Sequence, residues 1–136
     1  MNNVNVGSPF TLSNGEVLKN RFFKSAMSEQ LADQAHNPTP NLLRLYEIWA
    51  RGGTGLIVTG NVMVDREQLG EPRNVVLDGA SDVEMFKRWA KAGSCDDTQL
   101  WVQLNHPGKQ VPNFIHKVPV APSPVALEGG LEKNFN

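Results

Sequence analysis

Between Gly55 and Thr59 the chain reads Leu56-Ile57-Val58, an unbroken apolar run directly behind an amphipathic segment that stops at Gly52-Gly53. Alternating polar and apolar residues suit a strand with one wet face, whereas a continuous run needs cover on both faces, as in a parallel sheet flanked by helices. The preceding segment supplies such cover. Leu42, Leu45, Tyr46 and Trp49 recur at steps of three and four and share one face, and Thr39 with Pro40 stands where an N-cap and first turn belong. The expectation is a helix over 41–51, a glycine stop, and a buried strand over 55–59.

Further strands are expected on either side. Arg21-Phe22-Phe23-Lys24-Ser25-Ala26-Met27 is short and apolar enough for a first strand, and Leu100-Trp101-Val102-Gln103-Leu104 reads as a third. A second helix precedes that third strand. Its apolar face is Val83, Phe86, Trp89 and Ala90, its end lies near Gly93, and Ser81 stands three residues before Glu84 at capping-box spacing. Upstream, Phe10-Thr11-Leu12 and Val17-Leu18 flank Ser13-Asn14-Gly15-Glu16, an Asn-Gly turn that predicts a small hairpin. The stretch from Ser28 to Asn37 is polar, and Val111 to Asn136, with Pro112, Pro119, Pro122 and Pro124, reads as a long extended loop.

Strand, helix, strand, helix, strand implies an α/β chain with right-handed parallel crossovers, the first strand beside the second and the second beside the third. The chain's 136 residues amount to one domain or part of one. Since Lys133-Asn134-Phe135-Asn136 closes neither helix nor sheet, truncation of a larger sheet is the expectation.

Composition removes several function classes. A 40% apolar and 20% charged chain with net charge -1 has no basic stripe for nucleic acid, and no apolar run approaches a membrane span. The lone Cys95 cannot form an internal disulfide, and Met1-Asn2-Asn3-Val4 does not open like a signal peptide, so a soluble cytoplasmic protein is expected. Acidic neighbours Asp96 and Asp97 disfavour Cys95 as a nucleophile. No metal-ligand cluster is expected. No Gly-x-Gly-x-x-Gly opens a helix after a strand, which disfavours a small nucleotide-binding domain.

Ligands of parallel α/β sheets gather at the carboxyl ends of the strands. The residues leaving the three strands are therefore the candidates: Ser25-Ala26-Met27-Ser28, then Thr59-Gly60-Asn61-Val62, then Gln103-Leu104-Asn105-His106. Small residues beside amides and hydroxyls suit a flat, hydrogen-bonding ring. By themselves, Ser25 and Ser28 also read as ordinary strand-end serines, Gln103 as a buried amide and Met27 as core. Asp65-Arg66-Glu67 reads as a solvated loop, and Trp49 and Trp89 as helix-face core.

The strings LKNRFFKSAMSE, YEIWARGGTGLIVTGNVMVD, WVQLNHPGKQ and VPVAPSPV, in this order, resemble the opening of the NADH:flavin oxidoreductase or Old Yellow Enzyme family, its bacterial-type branch especially. The resemblance covers the chain from about Pro9 to Ser123. It implies the N-terminal portion of a (β/α)8 TIM barrel that binds FMN and reduces activated alkenes, enones or dienoyl-type, with hydride from NADH or NADPH. Matched position by position, Ser25, Ala26, Met27 and Ser28 fall on the segment lining the flavin ring, Met27 packing on it and Ser28 tuning it. Gly60 or Asn61 falls on the small position beside the ring. Gln103 falls on the glutamine that bonds the pyrimidine edge, where one amide serves a donor and an acceptor.

In that family the pair gripping the substrate carbonyl comes from a later strand, so the catalytic residues are expected outside this chain and His106 reads as a loop-ordering residue. The turn Ser94-Cys95-Asp96-Asp97 departs from the small Asn-Gly turn usual there. The phosphate-binding loops, substrate pair and tyrosine proton donor of the family are likewise not expected within these residues. Two readings result: a flavin enzyme whose remaining part is supplied elsewhere, or a noncatalytic barrel remnant that does not hold FMN alone. Expected partners are a small-molecule substrate and, through unpaired strand edges, another copy or the complementary barrel half.

Overall fold

The computed structural model describes residues 5–129. Met1–Val4 and the closing residues Lys133 to Asn136 lie outside them. Two short strands, β1 (Phe10–Thr11) and β2 (Val17–Leu18), pair antiparallel as the Asn-Gly turn requires, with Gly15 at φ 91°. Behind this hairpin Lys19 reaches Thr98 Oγ1 at 3.0 Å and Asn20 Nδ2 reaches Gly53 O at 2.7 Å. The hairpin is thereby tied to the segments entering the later strands, at their amino ends.

Four further strands form one parallel sheet: β3 (Phe23–Lys24), β4 (Leu56–Met63), β5 (Val75–Val76) and β6 (Gln99–Asn105). The central strand β4 pairs with β6 from Leu56↔Gln99 to Met63↔Asn105. It pairs with β3 at Leu56 and Ile57, and with β5 at Val62 and Met63. A strand has two edges, so β3 and β5 share the edge of β4 opposite β6. The expected strand order is borne out.

Two corrections concern strand lengths. The first strand is regular only over Phe23–Lys24 rather than 21–27, and β4 continues four residues past Thr59. Gly60 and Asn61 therefore lie inside β4. Its register against β6 slips by one residue between Val58↔Trp101 and Asn61↔Gln103, a β-bulge that a sequence pattern does not reveal. The two-residue strand β5 is likewise too short to carry a period.

The helix α1 (Pro40–Arg51) starts as expected, with the Thr39 side chain accepting from Leu42 N, and stops at Gly52-Gly53, where Gly53 takes φ 94°. The helix α2 (Val83–Gly93) is capped by Asp82, whose carboxylate accepts from Met85 N. Ser81 is not the cap: its hydroxyl donates to Val76 O and accepts from Asp78 N, closing the turn after β5. Leu42, Tyr46 and Ala50 of α1 pack with Trp89, Ile57, Val62 and Val75 into the core. Tyr46 meets Trp49 and Trp89 edge to face at 5.0 Å each, joining the two helices over the sheet. Val83 and Ala90, expected on the buried face of α2, are exposed instead. Beyond a 3-10 turn at Gly108–Gln110 no helix or extended strand follows among the described residues, as the proline-rich composition implies.

Candidate functional site

Parallel pairing brings the carboxyl ends of β3, β4 and β6 to one side of the sheet. Ser25 to Ser28 leave β3 there, and a Cβ on Gly60 would collide with the Met27 carbonyl oxygen and the Glu29 carboxylate. The segment after β3 thus lies directly against Gly60, and only glycine permits that approach. Across the ladder, Asn61 stands opposite Gln103, and Gln103 Nε2 donates to Asn61 Oδ1 at 2.7 Å. Ser25 and Met27 are exposed, Met27 to 51%, while Ala26, Asn61 and Gln103 are half-buried.

The residues expected at a flavin are therefore brought to one end of the sheet. Ser28 departs from its expected role in one respect. Its hydroxyl donates to Glu71, and Asn74 Nδ2 approaches it at 3.4 Å, so it is already engaged by the loop before β5. His106 behaves as a loop-ordering residue, its Nδ1 accepting from Gly108 N at 3.1 Å, with Asp65 4.0 Å from Nε2. The run Asp65-Arg66-Glu67 is more structured than a solvated loop: Arg66 grips Asp78 through two 2.7 Å bonds, which hold the Asp78 carboxyl well below the usual carboxylate range.

Sequence reading misses a group of residues behind the site. Lys24 and Glu29, with side chains only 11% and 10% exposed, pair at 3.1 Å. Tyr46, wholly buried, donates its hydroxyl to Glu29 at 2.8 Å and accepts from Gly60 N at 3.0 Å. Burial, with the Glu29 carboxylate beside it, pushes the Tyr46 phenol far above its ordinary range. On the β6 side, Thr59 Oγ1 accepts from Gln103 N at 3.0 Å and donates to Gly60 O at 2.8 Å. A lysine set in an apolar strand, with a glutamate five residues on, is the signal that could have found the group.

The donor set fits the edge of a flavin ring. After the Asn61–Gln103 bond, the Gln103 carbonyl oxygen and the Asn61 amide nitrogen have no partner among the described residues. One acceptor and one donor side by side match the alternating carbonyls and N–H of a pyrimidine edge. Met27, half exposed, presents an apolar side chain to solvent on the segment that lies against Gly60. A groove of about 530 Å³ lies between α1 and α2, lined by Arg44, Glu47, Arg51, Arg88 and Lys91, in the helix layer rather than at the strand ends. No group of His, Cys, Asp and Glu suited to a metal occurs among the described residues. None of the helices described is long and apolar enough to cross a membrane.

Known proteins resemble the chain in sequence and in fold. An NADH-dependent flavin oxidoreductase, iliE, of Hypocrea jecorina is 39% identical over 132 residues, covering 90% of this chain and 33% of that protein. Its namesake from a Neonectria species is 36% identical over 139 residues, covering 96% of this chain and 18% of that protein. The chain thus spans a third or less of the length of these curated relatives. The solved Old Yellow Enzyme homologue of Zymomonas mobilis superposes with a TM-score of 0.76 at 26% identity, over 91% of this chain and 34% of that one. These barrels contain the same parallel βα succession, and the family model of NADH:flavin oxidoreductases and NADH oxidases matches residues 6–134. The chain belongs to the NADH:flavin oxidoreductase / NADH oxidase family, whose cofactors are FMN and NADH.

Proposed function

We propose that this chain forms the N-terminal portion of a TIM-barrel domain and supplies the ring-edge part of an FMN site in an oxidoreductase that reduces activated alkenes with NADH or NADPH. The observation that carries the reading is the Asn61–Gln103 amide pair beside Gly60, on the face where Ser25 to Ser28 leave β3. FMN held at this edge would supply hydride transfer between the nicotinamide and the alkene. The chain's own residues bind and orient. Gln103 and Asn61 offer an acceptor and a donor to the pyrimidine edge, Met27 covers part of the ring, and Ser25 and Ala26 leave room beside it. Ser28 reaches the ring only by exchanging its bond to Glu71.

Substrate capture and proton delivery belong, on this reading, to neighbouring βα units, and the 136 residues alone are expected not to oxidise NADPH with an enone. The test is equilibrium dialysis of FMN against the protein and two variants. Gln103→Ala should weaken FMN retention up to about tenfold, from one lost hydrogen bond of roughly 0.5–1.5 kcal/mol to the ring and the release of the Asn61 amide it orients. His106→Ala should change it little, since that ring orders its own loop. A larger loss for His106→Ala would move the site away from the amide pair.

A further inference from the structure

Between the end of β3 and the start of β5, one edge of β4 has no strand beside it. Residues two apart on a strand send their backbone groups to the same edge, and Leu56 N bonds Phe22 O on this one. Val58 C=O therefore faces the gap, and within the bulge Gly60 N–H faces it as well, as its bond to Tyr46 shows; unpartnered groups there would be costly. Side chains close it. Lys24 Nζ donates to Val58 O at 3.1 Å, and Gly60 N donates to the Tyr46 hydroxyl at 3.0 Å. Glu29 joins the two, pairing with Lys24 and accepting from Tyr46. The ammonium also lies over the Trp49 ring, 4.4 Å from its centroid.

One anchored group, Val58 C=O, stands at the start of the β-bulge and the other, Gly60 N–H, lies within it, just before Asn61, where the regular register resumes. A bulge re-aims the side chains that follow it. Here the next side chain is Asn61, held at 2.7 Å from Gln103. We propose that Lys24, Glu29 and Tyr46 are positioning residues, which clamp the bulge of β4 from the helix side and so fix the Asn61–Gln103 amide pair that meets the flavin edge. The inference rests on the FMN reading for its purpose, and on the bulge alone for its geometry.

The test uses the 15N-labelled chain with FMN as the probe. Tyr46→Phe removes the hydroxyl with little change of shape, and Asp82→Ala serves as a control that removes a helix cap remote from the bulge. Tyr46→Phe should speed exchange of the Gly60 amide about tenfold, shift the side-chain amide signals of Asn61 and Gln103, and raise the FMN dissociation constant about tenfold. Glu29→Gln keeps an acceptor for the Tyr46 hydroxyl and should disturb Gly60 less. Asp82→Ala should lower the melting temperature yet leave all three readouts in place. Unchanged Asn61 and Gln103 signals in Tyr46→Phe would overturn the clamp, as would equal effects from Asp82→Ala. Shifted signals with unchanged FMN affinity would overturn the link to the flavin edge. Should the unmodified chain bind no FMN, the FMN reading fails, and the side-chain amide signals still decide whether the clamp exists.

Discussion

Tyr46 is the chain's only tyrosine, and its hydroxyl sits between Glu29 and the Gly60 amide. Its folded-state pKa is raised far above the unfolded value of about 10, so the native state keeps a proton that the unfolded chain releases in alkali. The stability this represents is whole below pH 10 and is lost as pH rises above it, by up to about 1.4 kcal/mol per pH unit. Absorbance near 295 nm should therefore show no tyrosinate until the chain unfolds, both signals changing together. Tyr46→Phe should flatten the alkaline loss of stability. A phenol titrating near pH 10 in the folded chain would contradict the buried bond. At this scale the sequence singles out the residues near the carboxyl ends of the strands, because order along the chain is visible there, but it misplaces Gly60 and Asn61, which lie inside β4. It conceals the Lys24–Glu29–Tyr46 group, since its members come from β3, the loop after it and α1, and only folding brings them together.

Elements are legible to the degree that they are long. The 12-residue α1 announces itself by period, cap and stop, and the Thr39 hydroxyl does accept from Leu42 N while donating to Leu31 O. Thr39→Ala should cost about 1 kcal/mol from the lost cap, with a further loss from the Leu31 carbonyl, read as a lower urea midpoint with unchanged slope. An unchanged midpoint would show that the cap contributes nothing in this context. The α2 cap lies one residue beyond the expected one because Ser81 and Asp82 are both good caps, and the turn after β5 recruits the serine. The bulge and the two-residue β5 leave no pattern, since both arise from how β4 meets its neighbours.

At the scale of the molecule, β6 has no strand along its second edge among the described residues, and its Trp101, Val102 and Leu104 are exposed, Leu104 to 60%. Phe22, Phe23 and Val83 are also more than half exposed. Open edges and apolar patches favour association. Sedimentation velocity should show species larger than a monomer, and Leu104→Lys should shift the distribution toward monomer. A monodisperse monomer across the concentration range would contradict this. Family and layout are readable from motifs spread along the chain, while the exposed flanks become visible only in three dimensions.

The central claim is that the strand ends of β3, β4 and β6 form one flavin-edge surface. A heteronuclear NMR titration of the 15N-labelled chain with FMN tests it directly, and reads weak binding as readily as strong. The expected result is a concerted shift of the backbone amides of Ser25 to Ser28, Gly60, Asn61 and Gln103, together with the Gln103 side-chain amide, saturating along one curve. Shifts confined to the groove between α1 and α2, or none at millimolar FMN, would contradict it.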